Sequence, residues 1–246
     1  MNYSGFAYLY DALMENAPYG EWTDFIHQAL TKYLKPNRES PIVLDLACGT
    51  GNITIPLARL GYDMIGVDMS TDMLAQAQAK ADGLPILFLA QDMRELDLYG
   101  TVDAALCVCD GMNYILSPEE LLGVFSRVRM FLNPGGVFIF DINTEYKFKE
   151  MLADKSFVAD NDGAAYEWDN HYCPDTGINE YRVTFLAGEE TFMEVHRQRA
   201  YPVDVICDLL KEAGFDRVDT RDGYSDNAPT DKSPRVVFIA RYANKT

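Results

Sequence analysis

The segment VLDLACGTG, residues 43–51, holds the residue types and spacing most able to do chemistry. An apolar run ends on two glycines and a helical pattern follows. It reads as a buried strand that turns sharply into a helix. Gly49 and Gly51 tolerate positive φ and let backbone approach a ligand closely. The helix start adds N–H groups without intrahelical partners. The loop is not a standard phosphate cradle. Thr54 stands where a G-x-G-x-x-G fingerprint would have its third glycine, and no lysine follows as in a Walker loop. Asp45 lies inside the strand, where a buried acid needs a reason. Cradling a phosphate gives none; a positively charged ligand with an amino group could. Asp68 closes the next apolar run, about 20 residues on, where an acid can grip ribose hydroxyls.

The surrounding pattern supplies elements to carry these residues. Residues 3–34 have helical apolar spacing, broken by Pro18 into two helices. Strands are expected within 41–50, running into the glycines, and at 62–68, 85–90, 102–109 and 137–141. Helices are expected at 53–60, 71–81 with Ser70 or Thr71 as N-cap, and 118 to about 132, where Pro118 and two acids mark the start. Asn133–Gly136 reads as a turn. Apolar strands alternating with helices indicate a mainly parallel sheet covered on both faces. After Asn143 the pattern changes. Residues 156–200 alternate in three β-rich stretches, AAYEWDNHY, NEYRVTFLA and ETFMEVHRQRAY, separated by turn signals at 174–177 and Gly188. A helix over 202–213 and strands near 215–222 and 235–242 complete the chain.

Residues 43–51 resemble motif I of class I S-adenosylmethionine (SAM)-dependent methyltransferases. The resemblance continues through GVDMS (66–70), FLAQDM (88–93), the end of the fourth strand (106–114) and LNPGGVFIFD (132–141). The opening YDALMENAPYGEW, residues 10–22, resembles a small bacterial subgroup. The implied fold is a Rossmann-like α/β domain with a seven-stranded sheet, plus an inserted antiparallel β-meander. The implied division is an N-terminal helical lid (1–38), a SAM-binding domain (39–143 and 201–246) and an inserted substrate subdomain (144–200). The implied cofactor is SAM, and the implied activity is transfer of its methyl group by in-line displacement to an unidentified small-molecule acceptor. By the same resemblance, Asp45 would reach the methionine amino group directly or through water. Ala47, Cys48, Gly49 and Gly51 would pass backbone against the cofactor. Asp68 would accept from both ribose hydroxyls and Met69 would pack on adenine. Asp92 would accept from the adenine amino group, with the Met93 N–H beside it. Cys109 and Asp110 would face the methionine part. A dehydrogenase is disfavoured by the missing third glycine; another SAM-derived group transferase and a non-catalytic SAM-binding protein stay open.

Candidates for the acceptor side are Tyr8, Tyr10 and Trp22 from the aromatic N-terminus, Asn113 and Tyr114 after the fourth strand, and His171 and His196 in the meander. Aromatic faces attract a sulfonium, although helix packing would use the same aromatics. Either histidine could be a base or a plain sheet residue. No catalytic triad is apparent, because the methyl donor already carries a good leaving group. A base matters only for a nucleophile that arrives protonated. Asp110–Tyr114 lacks the prolines of the Asn/Asp-Pro-Pro-Tyr motif used on amide and adenine nitrogens. Cys107-x-Cys109 has no partner pair for zinc, and no metal site is expected.

Bulk properties narrow the partners. The net charge of −17 opposes nucleic-acid backbones. No apolar run suits a membrane span, and no secretory signal opens the chain. Five cysteines, an odd number, argue against a disulfide framework and for a reducing cytoplasm. Residues 156–200 carry nine acids and three bases. This acidity is expected to favour a neutral or cationic acceptor, or else simply to face solvent. Oligomeric state is not legible.

Overall fold

A computed structural model describes residues 7, 10–12, 14–34, 39–161, 164–187 and 190–243. Tyr3, Phe6 and Tyr8 lie outside them, as do Gly188 and residues 244–246. A seven-stranded sheet has the order β10-β11-β5-β4-β1-β2-β3. Its strands are β1 (Ile42–Leu46), β2 (Asp63–Asp68), β3 (Leu87–Ala90), β4 (Val102–Cys107), β5 (Leu132–Asn143), β10 (Arg217–Asp222) and β11 (Arg235–Arg241). The first five are parallel, and β11 runs antiparallel to both β5 and β10. A second sheet is the antiparallel meander β6 (Ser156–Asn161), β7 (Ala164–Cys173), β8 (Ile178–Ala187) and β9 (Glu190–Arg199).

Helices cover both faces of the large sheet, as the all-apolar strands require. Leu121, Val124, Phe125 and Val128 of α4 (Pro118–Phe131) and Ile206 and Leu210 of α5 (Val203–Glu212) pack on Leu44, Leu46, Phe138, Phe140 and Phe238. On the other face, Trp22, Ile26 and Leu30 of α1 (Tyr19–Tyr33) and Ile55 and Leu57 of α2 (Thr54–Arg59) pack on Val43, Leu106, Val137 and Ile139. Alternation then puts Asp45 next after Val43, and Asp141 next after Ile139, on this second face. Apolar stripes thus end in carboxylates at the carboxyl edge of the sheet.

Several boundaries differ from expectation for visible reasons. β4 ends at Cys107 rather than 109 because Cys109 (φ 65°) and Asp110 (φ 56°) adopt left-handed backbone. Asn133–Gly136 is not a turn before β5 but an irregular opening of it. Between Val102 and Ala104 the partner position jumps from Leu132 to Val137, and Gly135 has φ 86°. The meander has four strands, not three, since 156–161 pairs with β7. A π-helical turn, Lys147–Leu152, joins β5 to it. The Ser70 hydroxyl caps α3 (Thr71–Ala81) by accepting from Met73 N–H at 3.2 Å. Among the described residues all five cysteines are free, and no helix is long and apolar enough to cross a membrane.

Candidate functional site

The carboxyl edge of the large sheet opens on a cavity of about 540 Å³, within the range usual for small-molecule sites. At one end it is lined by Ala47, Gly49, Asp68, Met69, Asp92 and Met93, and in the middle by Cys109 and Asp110. The far wall belongs to the inner face of the meander: Tyr166, Trp168, Asn179, Tyr181, Val183, His196 and Gln198. Tyr10, Met14 and Trp22 contribute from the N-terminal segment. A recess of about 40 Å³ adjoins it, lined by Asp45, Cys48, Tyr10 and Tyr19 among others.

The glycine loop is shaped by its backbone. Ala47, Gly49 and Gly51 have φ of 52°, 54° and 80°, a conformation that costs most other residues about 1–2 kcal/mol. A Cβ on Gly49 would meet no atom within 4 Å and would project from the cavity lining. Gly51 does different work. Its Cβ would press on Ile55 at 3.1 Å and Ala77 at 3.3 Å, so it lets the loop sit on the helices, and it lines neither the cavity nor the recess.

Asp68 accepts from Gly49 N–H at 2.9 Å and from Ser70 N–H at 2.8 Å. Burial raises its pKa, opposed by these backbone donors. Asp45 is 2% exposed and accepts from the Thr54 hydroxyl at 2.5 Å. Burial pushes its carboxyl up to about 7, with Asp68 adding to the rise. Asp92 is held below its ordinary range by Arg94, whose Nη2 lies 2.6 Å away. Arg94 grips both carboxylate oxygens, Nε at 3.0 Å and Nη2 at 2.6 Å, so a ligand at Asp92 must share the carboxylate with Arg94 or displace it.

Asp110 is not available in the same way. It pairs with Arg235 at 2.9 Å and accepts from Gln198 at 2.5 Å. Arg235 also pairs with Asp141 at 2.8 Å. Asp141 in turn accepts from the Cys109 and Asp110 N–H groups and from the Tyr224 hydroxyl. Burial alone would lower the Arg235 pKa, but Asp141 and Asp110 hold it above its ordinary value. This buried triad fixes the left-handed pair at the end of β4, where sequence reading expected a direct cofactor contact.

Of the acceptor-side candidates, Tyr10, Trp22, Tyr114 and His196 line the cavity. Asn113 does not. It is fully buried, donating to the Asn143 and Arg199 carbonyls and accepting from Asn143 N–H, and so ties β5 to β9. His171 is not brought to the site either: it points outward and pairs with Asp154 at 3.2 Å. Sequence reading missed Arg235, Gln198, Glu194 and Lys147, whereas the alternation of Tyr166, Trp168 and Tyr181 along the meander already marks the face that borders the cavity. Lys147 donates to Asn143 at 2.8 Å, and burial, with Arg235 nearby, lowers its pKa. Of the meander strand acids whose side chains are described, Glu167, Asp169 and Glu180 lie on the outer face by alternation, and Glu194 is on the inner face, beside His196.

The pieces suit SAM. The uncluttered space at Gly49 admits a ligand against the loop backbone, the Asp68 carboxylate suits a pair of hydroxyls, and Met69, 66% exposed, offers an unpaired apolar side chain at the rim. Residues 43–136 match the family model described as "Methyltransferase domain". A putative methyltransferase of Bacillus subtilis (strain 168), YqeM, is 36% identical over 98% of this chain and 97% of its own. More distant are a glycine/sarcosine N-methyltransferase of Halorhodospira halochloris, 26% identical over 90% of this chain and 80% of its own, and a dTDP-3-amino-3,4,6-trideoxy-α-D-glucopyranose N,N-dimethyltransferase of Streptomyces venezuelae, 26% identical over 82% and 83%. The crystal structure of an S-adenosylmethionine-dependent methyltransferase from Clostridium acetobutylicum ATCC 824 superposes with a TM-score of 0.87, at 32% identity, covering 98% of this chain and 99% of that one. Likeness of that extent, in sequence and in fold around the same glycine turn, makes the chain an enzyme of the SAM-dependent methyltransferase family, with SAM as its cofactor.

Proposed function

We propose that the enzyme methylates the nitrogen of a small-molecule amine, held between the carboxyl edge of the large sheet and the inner face of the meander. The observation that carries this is the single cavity reaching from Asp68 and Met69 to Tyr181 and His196. Two of the relatives act, by their names, on chemically unlike small amines, which supports nitrogen as the common feature. In this reading residues 39–143 and 201–246 hold SAM, 144–200 hold the acceptor, and 1–38 close over both.

Bound SAM supplies an activated methyl group on a sulfonium with a good leaving group. The chain's task is to orient donor and acceptor and to exclude water. Asp68 would bind the ribose hydroxyls, Met69 and Asp92 the adenine, and Asp45 the methionine ammonium directly or through water. Trp22 is held for the roof by stacking on Tyr224 at 5.0 Å.

Asp68→Ala should weaken SAM binding by about 2–4 kcal/mol, roughly 30- to 1000-fold, since each charge-assisted bond is worth ~1.5–3 kcal/mol before water compensates. Calorimetric affinity equal to wild type in a folded variant would remove the ribose assignment. SAM affinity should also depend on pH through Asp45. The free carboxyl titrates at about 7, and a neighbouring ammonium would favour the ionised form. Affinity should then fall by up to about tenfold per pH unit below pH 7, with a proton released on binding, and level off above it until the SAM ammonium loses its own proton. Asp45→Asn should flatten this profile; an unchanged profile in Asp45→Asn would exclude Asp45 as the linked group. The acceptor class is tested by incubating the enzyme with methyl-labelled SAM and a panel holding glycine, sarcosine, a dTDP-amino sugar and matching alcohols. Label on amines alone is expected. Label on the alcohols alone would overturn the nitrogen reading.

A further inference from the structure

On the cavity wall opposite the glycine loop, four side chains form one hydrogen-bonded line. The Tyr181 and Tyr114 hydroxyls are 2.5 Å apart, the Tyr114 hydroxyl is 3.2 Å from His196 Nδ1, and His196 Nε2 is 3.1 Å from Glu194 Oε2. They come from three places in the chain: the turn after β4, β8 and β9. Tyr181 and His196 are directly paired across β8 and β9. Their rings stack at 4.8 Å and 13°, which fixes the imidazole plane. The His196 and Glu194 side chains are only 13% and 14% accessible, so their attraction is not dissipated as on an open surface. Both phenols border the cavity. Loss of water at the cavity wall raises both above the ordinary tyrosine pKa, with Asp110 adding at Tyr114, and Tyr114 and Asp110 adding at Tyr181, although Tyr114 stays 42% exposed on its cavity side. They suit passing a proton on better than keeping the charge.

Resting on the amine reading above, we infer that Tyr181, Tyr114, His196 and Glu194 are a proton relay that strips the acceptor ammonium before methyl transfer. The acceptor's N–H proton passes to the Tyr181 oxygen as that N–H bond breaks, leaving a lone pair on nitrogen. The Tyr181 proton moves to the Tyr114 oxygen, and the Tyr114 proton to His196 Nδ1. The imidazolium keeps its Nε2–H on the Glu194 carboxylate, which offsets the new charge, and later loses the Nδ1 proton to water. No oxidant or further reactant is needed. Tyr181 is the member that touches substrate; Tyr114 and His196 carry the proton and Glu194 positions and stabilises the ring. An amine is mostly protonated at neutral pH, so such a device has a use here that it would lack for an acceptor that arrives with a free lone pair.

The test has two arms on the full-length enzyme with SAM. The chain has three histidines, so long-range ¹⁵N correlation spectra, assigned with single His→Gln variants, report each ring's tautomer. Among the described residues, the charged and titratable groups around His196 include Glu194 on its own strand, Tyr181 on β8 and Tyr114 after β4, with Asp110 and the Cys109 thiol beyond the phenols. The relay requires neutral His196 as the Nε2–H tautomer. Glu194→Gln and Tyr114→Phe each remove one of the ring's two hydrogen-bond partners and should each weaken the preference for that tautomer. An Nδ1–H tautomer, or a tautomer preference indifferent to both changes, would overturn the relay whether or not an acceptor is found. In the second arm, turnover of whichever amine of the panel is methylated is followed from pH 6 to 10. His196→Gln should lose about 100-fold at pH 7 and approach wild type near pH 10, where the amine has already lost its proton. An equal loss at every pH would mark His196 as merely structural. If no amine is methylated, the acceptor reading fails, and the tautomer alone then decides whether the relay exists.

Discussion

Gly49→Val should abolish SAM binding while leaving the protein folded. Two effects add. A β-branched residue must adopt φ 54°, which it resists. Its branches would also fill space that nothing else occupies within 4 Å of the Cβ, the space assigned to the cofactor. The backbone cost of about 1–2 kcal/mol is tolerable for a domain with a two-faced core, whereas the steric conflict with the cofactor has no cheap relief. Thermal melting should show one cooperative transition, a few degrees lower, and calorimetry should show no heat with SAM. Gly49→Ala should fall between. Binding at wild-type strength in the valine variant would mean that the loop does not touch the cofactor.

Arg235→Leu should destabilise the protein by about 3–5 kcal/mol, the range for removing one partner of a buried charge group. Asp141 is completely buried and Asp110 nearly so, and both would lose their cation. The left-handed pair Cys109–Asp110 hangs on Asp141 through its backbone N–H groups, so the middle of the cavity should loosen as well. Urea unfolding monitored by tryptophan fluorescence would measure the loss, and a change under 1 kcal/mol would show that the triad is not what holds this edge. Asp141→Asn combined with Arg235→Leu should recover part of the loss, because it also discharges the group left without a partner.

What the sequence made legible follows the range of the interactions. The strand–glycine–helix unit at 42–59 and the Ser70 cap depend on neighbours in the chain, and both are where the spacing predicts them. The Arg235–Asp110 pair joins residues 125 apart, and only the topology brings them together. The two meander histidines divide instructively. On β7, Tyr166, Trp168 and Tyr172 mark the inner face, and strict alternation already puts His171 on the other. On β9 the pattern misleads. Met193 and Val195 are the apolar pair, yet they are 64% and 47% exposed, while Glu194, His196 and Gln198 turn inward. The cavity demands polar groups there, and a polar wall inverts the usual rule for finding the inner face. The acidity of 156–200 is a poor guide for the same reason: Glu167, Asp169 and Glu180 lie on the outer face and Asp175 in the β7–β8 turn, Glu180 paired with Arg197 and Arg182, and they carry no information about the acceptor.

The central claim is that methyl transfer happens in the space shared by the large sheet and the meander. A crystal structure of the enzyme with SAM tests it most directly. The account predicts ribose hydroxyls on Asp68, the methionine ammonium at the Asp45 recess, and a methyl group opening toward Tyr114, Tyr181 and His196. A SAM molecule whose methyl opens to another surface, with every residue from 156 to 200 remote from it, would contradict the account.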